Sequence, residues 1–137
     1  MIRPKITTVI KDGKPATGND TSLLTRFPEN VQAAVKEWIR LYLTPTKKTP
    51  CPWTSYTLKH ILERDLGLYM TNNQFKHAML LCGYQPVDEH VLNWHFCISR
   101  KSPALKPDLS RTVSMTREEI SKAVGGIVEN AQITEPQ

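Results

Sequence analysis

At 137 residues the chain is long enough for one modest domain with its own core, and a second domain is not expected. An apolar fraction of 39% and a charged fraction of 23% are ordinary for a water-soluble protein, and no apolar run approaches the roughly 20 residues of a membrane span. The formal charge of +5 is spread thinly, with five basic and two acidic side chains in residues 1–26, seven and six in 27–99, and six and five in 100–137, so a nucleic-acid footprint has to come from clustering rather than bulk charge.

The opening MIRPKITTVIKDGKP has no apolar segment with a small-residue cleavage site, so a cytoplasmic protein with no membrane partner is expected. ITTVI reads as a short strand that can pair onto the domain, and KDGKPATGNDTS as a polar, turn-rich stretch. Residues 1–26 are therefore expected to be a flexible basic arm. Pro28 suits a first helical turn, and Glu29 lies where the helix dipole favours negative charge. Val31, Ala34, Val35, Trp38, Ile39 and Tyr42 recur at helical spacing, which predicts a helix over about 28–43, ended ahead of Pro45. TPTKKTPCPW is an irregular, proline-rich linker.

Thr54 or Ser55 can cap a second helix over 55–66, whose buried stripe is Leu58, Ile61, Leu62 and Leu66 and which stops at Gly67. The third helix, over 72–82, has both ends written into MTNNQFKHAMLLCG. Thr71 and Gln74 can form a capping box, Met70 and Phe75 a hydrophobic staple, and Gly83 can take the left-handed conformation beyond the last turn. Tyr84–Val87, a turn at DEHVLN, and the alternation of Trp94, Phe96 and Ile98 with His95, Cys97 and Ser99 predict a β-hairpin over 84–99. SPALKPDLS is a linker. Met115 to Glu129 is a marginal helix, apolar at Ile120, Ala123, Val124, Ile127 and Val128 but weakened by Gly125 and Gly126. It is expected to dock on its own domain or to pair with a second copy as a homodimer, since the apolar stripe is poor company for water.

The three cysteines, Cys51, Cys82 and Cys97, form no CxxC pair, so no disulfide framework is expected. His90, His95 and Cys97 lack a recurrent ligand spacing, and no metal or other cofactor is expected. There is no Gly-rich phosphate loop and no nucleophile elbow, so an enzyme is the least supported class.

The segments FPENVQAAVKEWIRLYL, TSYTLKHILERDLG, TNNQFKHAMLLCGY and QPVDEHVLNWHFCIS, three helices and then a two-stranded wing, resemble the winged-helix (winged helix-turn-helix) superfamily. The stretch SYTLKHILERDLGLYMTNNQFKHAMLLCGY also resembles small uncharacterised proteins of bacterial phages and plasmids. The first resemblance implies a mainly α fold with a small β-hairpin: a winged-helix domain over 27–100 between the flexible arm and a linker, marginal C-terminal helix and tail over 101–137. It further implies a nucleic-acid-binding protein, duplex DNA being the expected ligand, of the kind that regulates a mobile element. In such a domain the third helix enters the major groove. Asn72, Asn73, Lys76 and His77, opposite its apolar side, would read bases. Lys47, Lys48, Lys59, Arg100 and Lys101 would meet phosphates. Against this stand Asp88 and Glu89 at the wing tip, which repel phosphates. The alternative is a winged helix that binds protein, as an inhibitor or accessory factor on a host or phage protein or complex, because fold alone does not decide function.

Overall fold

The structure, a computed structural model, describes residues 7–47, 50–107 and 110–132, with side chains to residue 125. It is mainly helical with one two-stranded antiparallel hairpin: β1 (Thr8–Lys11), β2 (Lys14–Thr17), α1 (Glu29–Tyr42), α2 (Ser55–Leu66), α3 (Asn72–Leu81) and α4 (Arg117–Gln132), with single 3-10 turns at Leu24–Arg26 and Pro103–Leu105. No helix among the described residues is long and apolar enough to cross a membrane.

The first three helices lie where their local signals put them. Pro28 is the N-cap of α1, which buries Val31, Ala34, Val35, Trp38 and Ile39. Gly67 closes α2 at φ +66°, where a side chain would be strained and an added Cβ would also meet the Arg117 guanidinium at 3.1 Å. Thr71 accepts from the Gln74 N–H at 3.1 Å while the Gln74 side chain accepts from the Thr71 N–H at 2.9 Å, so the capping box is complete. Trp38, Ile39, Leu58, Leu62, Phe75, Ala78 and Met79 are solvent-free and share one core, with Ile61 at its edge.

The hairpin is at the other end of the chain from the one expected. Residues 84–99 form no strand ladder; the bond from Val87 N–H to the His95 carbonyl links the two halves. Trp94, Phe96 and Ile98 are nonetheless buried in alternation, as period two requires. Their partner is the proline-rich linker: Thr46 N–H donates to the Cys97 carbonyl, Cys51 N–H to Phe96, Ser55 N–H to Trp94, and Ser99 N–H to Thr44. Pro45 and Ile98 form an isolated antiparallel bridge. Prolines at 45, 50 and 52 lack the N–H donors of a regular ladder, so this pairing stays irregular.

The true hairpin is turned by Asp12 and Gly13, both left-handed at φ 55° and 75°, between the register pairs Lys11↔Lys14 and Thr8↔Thr17. Asp-Gly is the turn that primed hairpins favour. The stretch expected to be a flexible arm therefore folds back, and from residue 7 onward it lies along α3. The other end is anchored as well. Arg111 is buried against Asp65, with Nε to Oδ2 at 2.6 Å, and Asp65 also accepts from the Trp38 indole N–H at 2.9 Å. Ile120 of α4 is fully buried in the shared core, and Met115, Ala123 and Val124 pack on it in part, so α4 docks on its own domain. The expected contributions of Ile127, Val128 and Gly126 fall outside the described side chains.

Candidate nucleic-acid interface

The polar side of α3 does not face water. Asn73 and Lys76 have no exposed surface, and Gln74 and His77 are nearly as buried. The N-terminal segment covers them through a connected set of hydrogen bonds. Asn73 Nδ2 donates to the carbonyls of Pro15 at 2.8 Å and Ser22 at 2.7 Å, and its Oδ1 accepts from the Thr17 hydroxyl at 2.6 Å. Lys76 Nζ donates to the hydroxyls of Thr8 at 2.7 Å and Thr17 at 3.2 Å, beneath the Trp94 ring. Leu24 N–H donates to His77 Nδ1 at 3.0 Å. No buried side-chain nitrogen or oxygen among the described residues is left without a partner. Removal from water favours the uncharged forms: burial pulls Lys76 down to about 8, against the charge of Asp20, and holds His77 below its usual value, with Lys14 and Lys36 adding to the effect.

Asn73, Lys76 and His77 are thus structural, and α3 offers no free reading face. Asn72 is half-buried, its amide donating to the Leu92 carbonyl and to Asn93, its oxygen accepting from Ser55. Lys59 is also removed from solvent, at 5% exposure, with Nζ 3.1 Å from Glu63 Oε2. The expectation that Asn73, Lys76 and His77 read bases fails because a second layer, residues 7–24, packs on that side of α3.

The remaining expected phosphate contacts behave differently. Lys47, Arg100 and Lys101 are exposed, and none is in an ion pair among the described residues. The antiparallel run of Thr44–Thr46 against Cys97–Ser99 places Lys47 at one end and Arg100 with Lys101 at the other. At about 3.3 Å per residue the two ends are roughly 13 Å apart. Lys48 lies outside the described residues. Asp88 and Glu89 stand beside His90, whose backbone N–H donates to Asp88 at 3.0 Å and helps hold that carboxyl below its usual range.

A second exposed feature is aromatic. Tyr69 is 78% and Tyr56 51% exposed, and both rings stand over the ammonium of Lys59, at 5.9 and 5.4 Å. Trp53, which the sequence leaves open between capping the core and standing exposed, is 38% exposed. Tyr56, at position two of α2 and off its Leu58, Leu62, Leu66 stripe, carried a readable signal. Tyr69 did not, because an apolar triplet such as Leu68, Tyr69, Met70 does not say which member turns outward.

Among the described residues no group of three His, Cys, Asp or Glu side chains is placed to hold a metal ion. Comparison with known protein families, with curated proteins and with solved structures finds no match to this chain.

Proposed function

We propose that this chain binds nucleic acid through its exposed basic edge, with Lys47, Arg100 and Lys101 contacting phosphates. The observation that carries the proposal is that these three cations, exposed and in no ion pair among the described residues, flank the two ends of the 44–46 and 97–99 pairing. The α1–α2–α3 order is that of the helix-turn-helix core of winged-helix proteins, and the proposal extends to that superfamily with two departures, the lack of a strand ladder over 84–99 and a change in the role of α3. With its polar side occupied, α3 serves as the core of the domain rather than as its reading element. Binding is then chiefly to the backbone, with little discrimination between sequences, because phosphate contacts position a protein without reading bases.

The test is a gel-shift titration of the whole chain at about 50 and 200 mM salt, comparing wild type with the Lys47→Ala/Arg100→Ala/Lys101→Ala variant. Wild type is expected to bind and to lose affinity steeply as salt rises. The variant is expected to bind more weakly, with a salt slope smaller, for each lost phosphate contact, by about 0.9 on duplex or about 0.7 on a single strand. No binding of duplex or single strands at the lower salt, or an unchanged affinity and slope in the variant, overturns the proposal in favour of a protein partner.

A further inference from the structure

Resting on the nucleic-acid reading above, we propose that the outer face of α2 and the turn after it form a stacking platform for the bases of a single strand, so that the ligand is single-stranded rather than duplex. The platform consists of the rings of Tyr56 and Tyr69, with the exposed Trp53 one residue ahead of the α2 N-cap. Its first property is fixity. Lys59 sits beneath both tyrosines and is itself held by Glu63 at 3.1 Å. Glu63 Oε2 also accepts the backbone N–H of Met70 at 3.0 Å, which ties the Tyr69 turn to α2. The Tyr56 ring meets the His60 ring edge-on, 4.4 Å between centroids at 82°. Each tyrosine is therefore supported from within while half or more of its surface stays in water. A base can stack on such a ring with little loss of side-chain freedom, since the ring already has its bound orientation.

The second property is charge. Both acidic side chains of α2 are engaged, Glu63 by Lys59 and His60, Asp65 by Arg111 and the Trp38 indole. Tyr56, His60 and Arg64 recur at four-residue spacing along one helix face, and Arg64 is exposed. A face of rings and a cation with its carboxylates neutralised suits a polyanion that presents flat aromatic surfaces.

The third property is continuity with the basic edge. Linker residues 50–56 are held along residues 94–96 by the bonds from Cys51 and Ser55, Thr46 bonds to Cys97 on the Lys47 side, and Trp53 lies just before the N-cap Thr54. A strand whose phosphates meet Lys47, Arg100 and Lys101 is led along this linker to Trp53 and then to the tyrosines. A duplex cannot use these rings, because its base faces are already stacked on one another.

The experiment is fluorescence anisotropy of the full chain with a labelled oligothymidylate of about 12 nucleotides and with a duplex of equal length, since single-strand sites of one module span about 4–16 nucleotides. Wild type is compared with the Tyr56→Ala/Tyr69→Ala variant, which removes only exposed rings and whose fold is checked by its melt, and with Tyr69→Phe. The expected result is tighter binding of the single strand, a loss of about tenfold or more in the double variant, and retention in Tyr69→Phe, which keeps the ring. Equal binding of duplex and single strand, with no loss in the double variant, overturns the platform and leaves the basic edge standing. No binding of either ligand overturns both.

Discussion

Lys76 Nζ lies 4.8 Å from the centroid of the Trp94 ring, in a lysine with no exposed surface and no carboxylate in hydrogen-bond reach. The ring face and two threonine hydroxyls replace the water that the ammonium has lost. α3 is consequently buried on both sides, against an apolar core on one and a hydrogen-bonded layer on the other, and the second layer ties the N-terminal hairpin to the domain.

Replacing Lys76 separates its charge from its volume. Thr8 keeps a donor role to the Val91 carbonyl and Thr17 to Asn73, so neither hydroxyl is stranded when the ammonium goes. Lys76→Met keeps the chain length and the contact with Trp94, and is expected to leave stability at pH 7 unchanged or to raise it, as happens when buried charges give way to apolar groups of like volume. Lys76→Ala opens a cavity and is expected to cost about 2–5 kcal/mol. Urea unfolding of the three proteins makes the comparison; a Met variant as unstable as the Ala variant would mean that the charge itself holds the hairpin down.

The same residue gives a pH dependence at the alkaline end. Its folded-state pKa of about 8 lies below the ordinary lysine value of about 10.4, so between these limits the unfolded chain binds the extra proton and stability rises with pH, by at most about 1.4 kcal/mol per unit. Wild type should gain stability across this window and Lys76→Met should lack that gain. His77 acts on the acid side. Burial lowers its pKa, so the unfolded chain takes up the proton first, and stability falls as pH drops through the unfolded value near 6.5 and toward the folded one. Protonation at Nδ1 also removes the acceptor of the Leu24 N–H. Melts from pH 7.5 to 5 should show a steeper decline for wild type than for His77→Gln; parallel declines would assign the acid sensitivity to the carboxylates instead.

How much of this was legible in the sequence depends on whether the signal was local. Thr71, Gln74 and Gly67 act within one turn of their own helix, and the bounds of α2 and α3 followed from them. Trp94, Phe96 and Ile98 announced an extended, one-sided segment, but alternation names no partner, and the partner proved to be the linker of Pro45 and Cys51. Asp12-Gly13 is a hairpin signal, but the polar stretch KDGKPATGNDTS around it lacks the apolar periodicity that marks paired strands. The error over Asn73, Lys76 and His77 is of another kind. An amphipathic pattern separates polar from apolar sides, and burial of the polar side depends on a distant segment that matches it donor for acceptor. Of the expected contacts among the described residues, Lys47, Arg100 and Lys101 stay exposed, and those lie in loops.

Asp65 joins three parts of the chain: its carboxylate accepts from Trp38 of α1 and pairs with Arg111, whose guanidinium also donates to the carbonyls of Pro103 and Lys106. Asp65→Asn retains an acceptor for the indole but leaves Arg111 buried without its counter-charge, a change that typically costs about 3–5 kcal/mol. Glu37→Gln, which alters the exposed contacts to Ser114, is expected to fall within about 1 kcal/mol. Chemical unfolding of both variants checks the ranking, and equal small losses would show that the 103–111 segment contributes little to the fold.

Asn73 is the point at which the hairpin layer and α3 depend most on one side chain. Its amide satisfies two carbonyls, Pro15 in β2 and Ser22 beyond it, and its oxygen receives the Thr17 hydroxyl. Asn73→Ala leaves these groups without their partner in a closed interior, at about 1–3 kcal/mol for each that water cannot reach. The loss should be local before it is global. Thr7 to Leu24 meet α3 through side-chain bonds to Asn73, Gln74, Lys76 and His77, whereas α1 and α2 hold α3 through apolar contacts that the substitution does not touch. Amide exchange should therefore quicken at Thr17, Gly18 and Leu24 while Trp38, Ile39 and Leu62 keep their protection. Asn72→Ala, next door but half-buried, should leave Thr17, Gly18 and Leu24 as slow as in wild type. Unchanged exchange at those three amides in Asn73→Ala would show that the hairpin is held without Asn73, by Gln74, Lys76 and His77, and a uniform rise across all three helices would show that the two layers unfold as one unit.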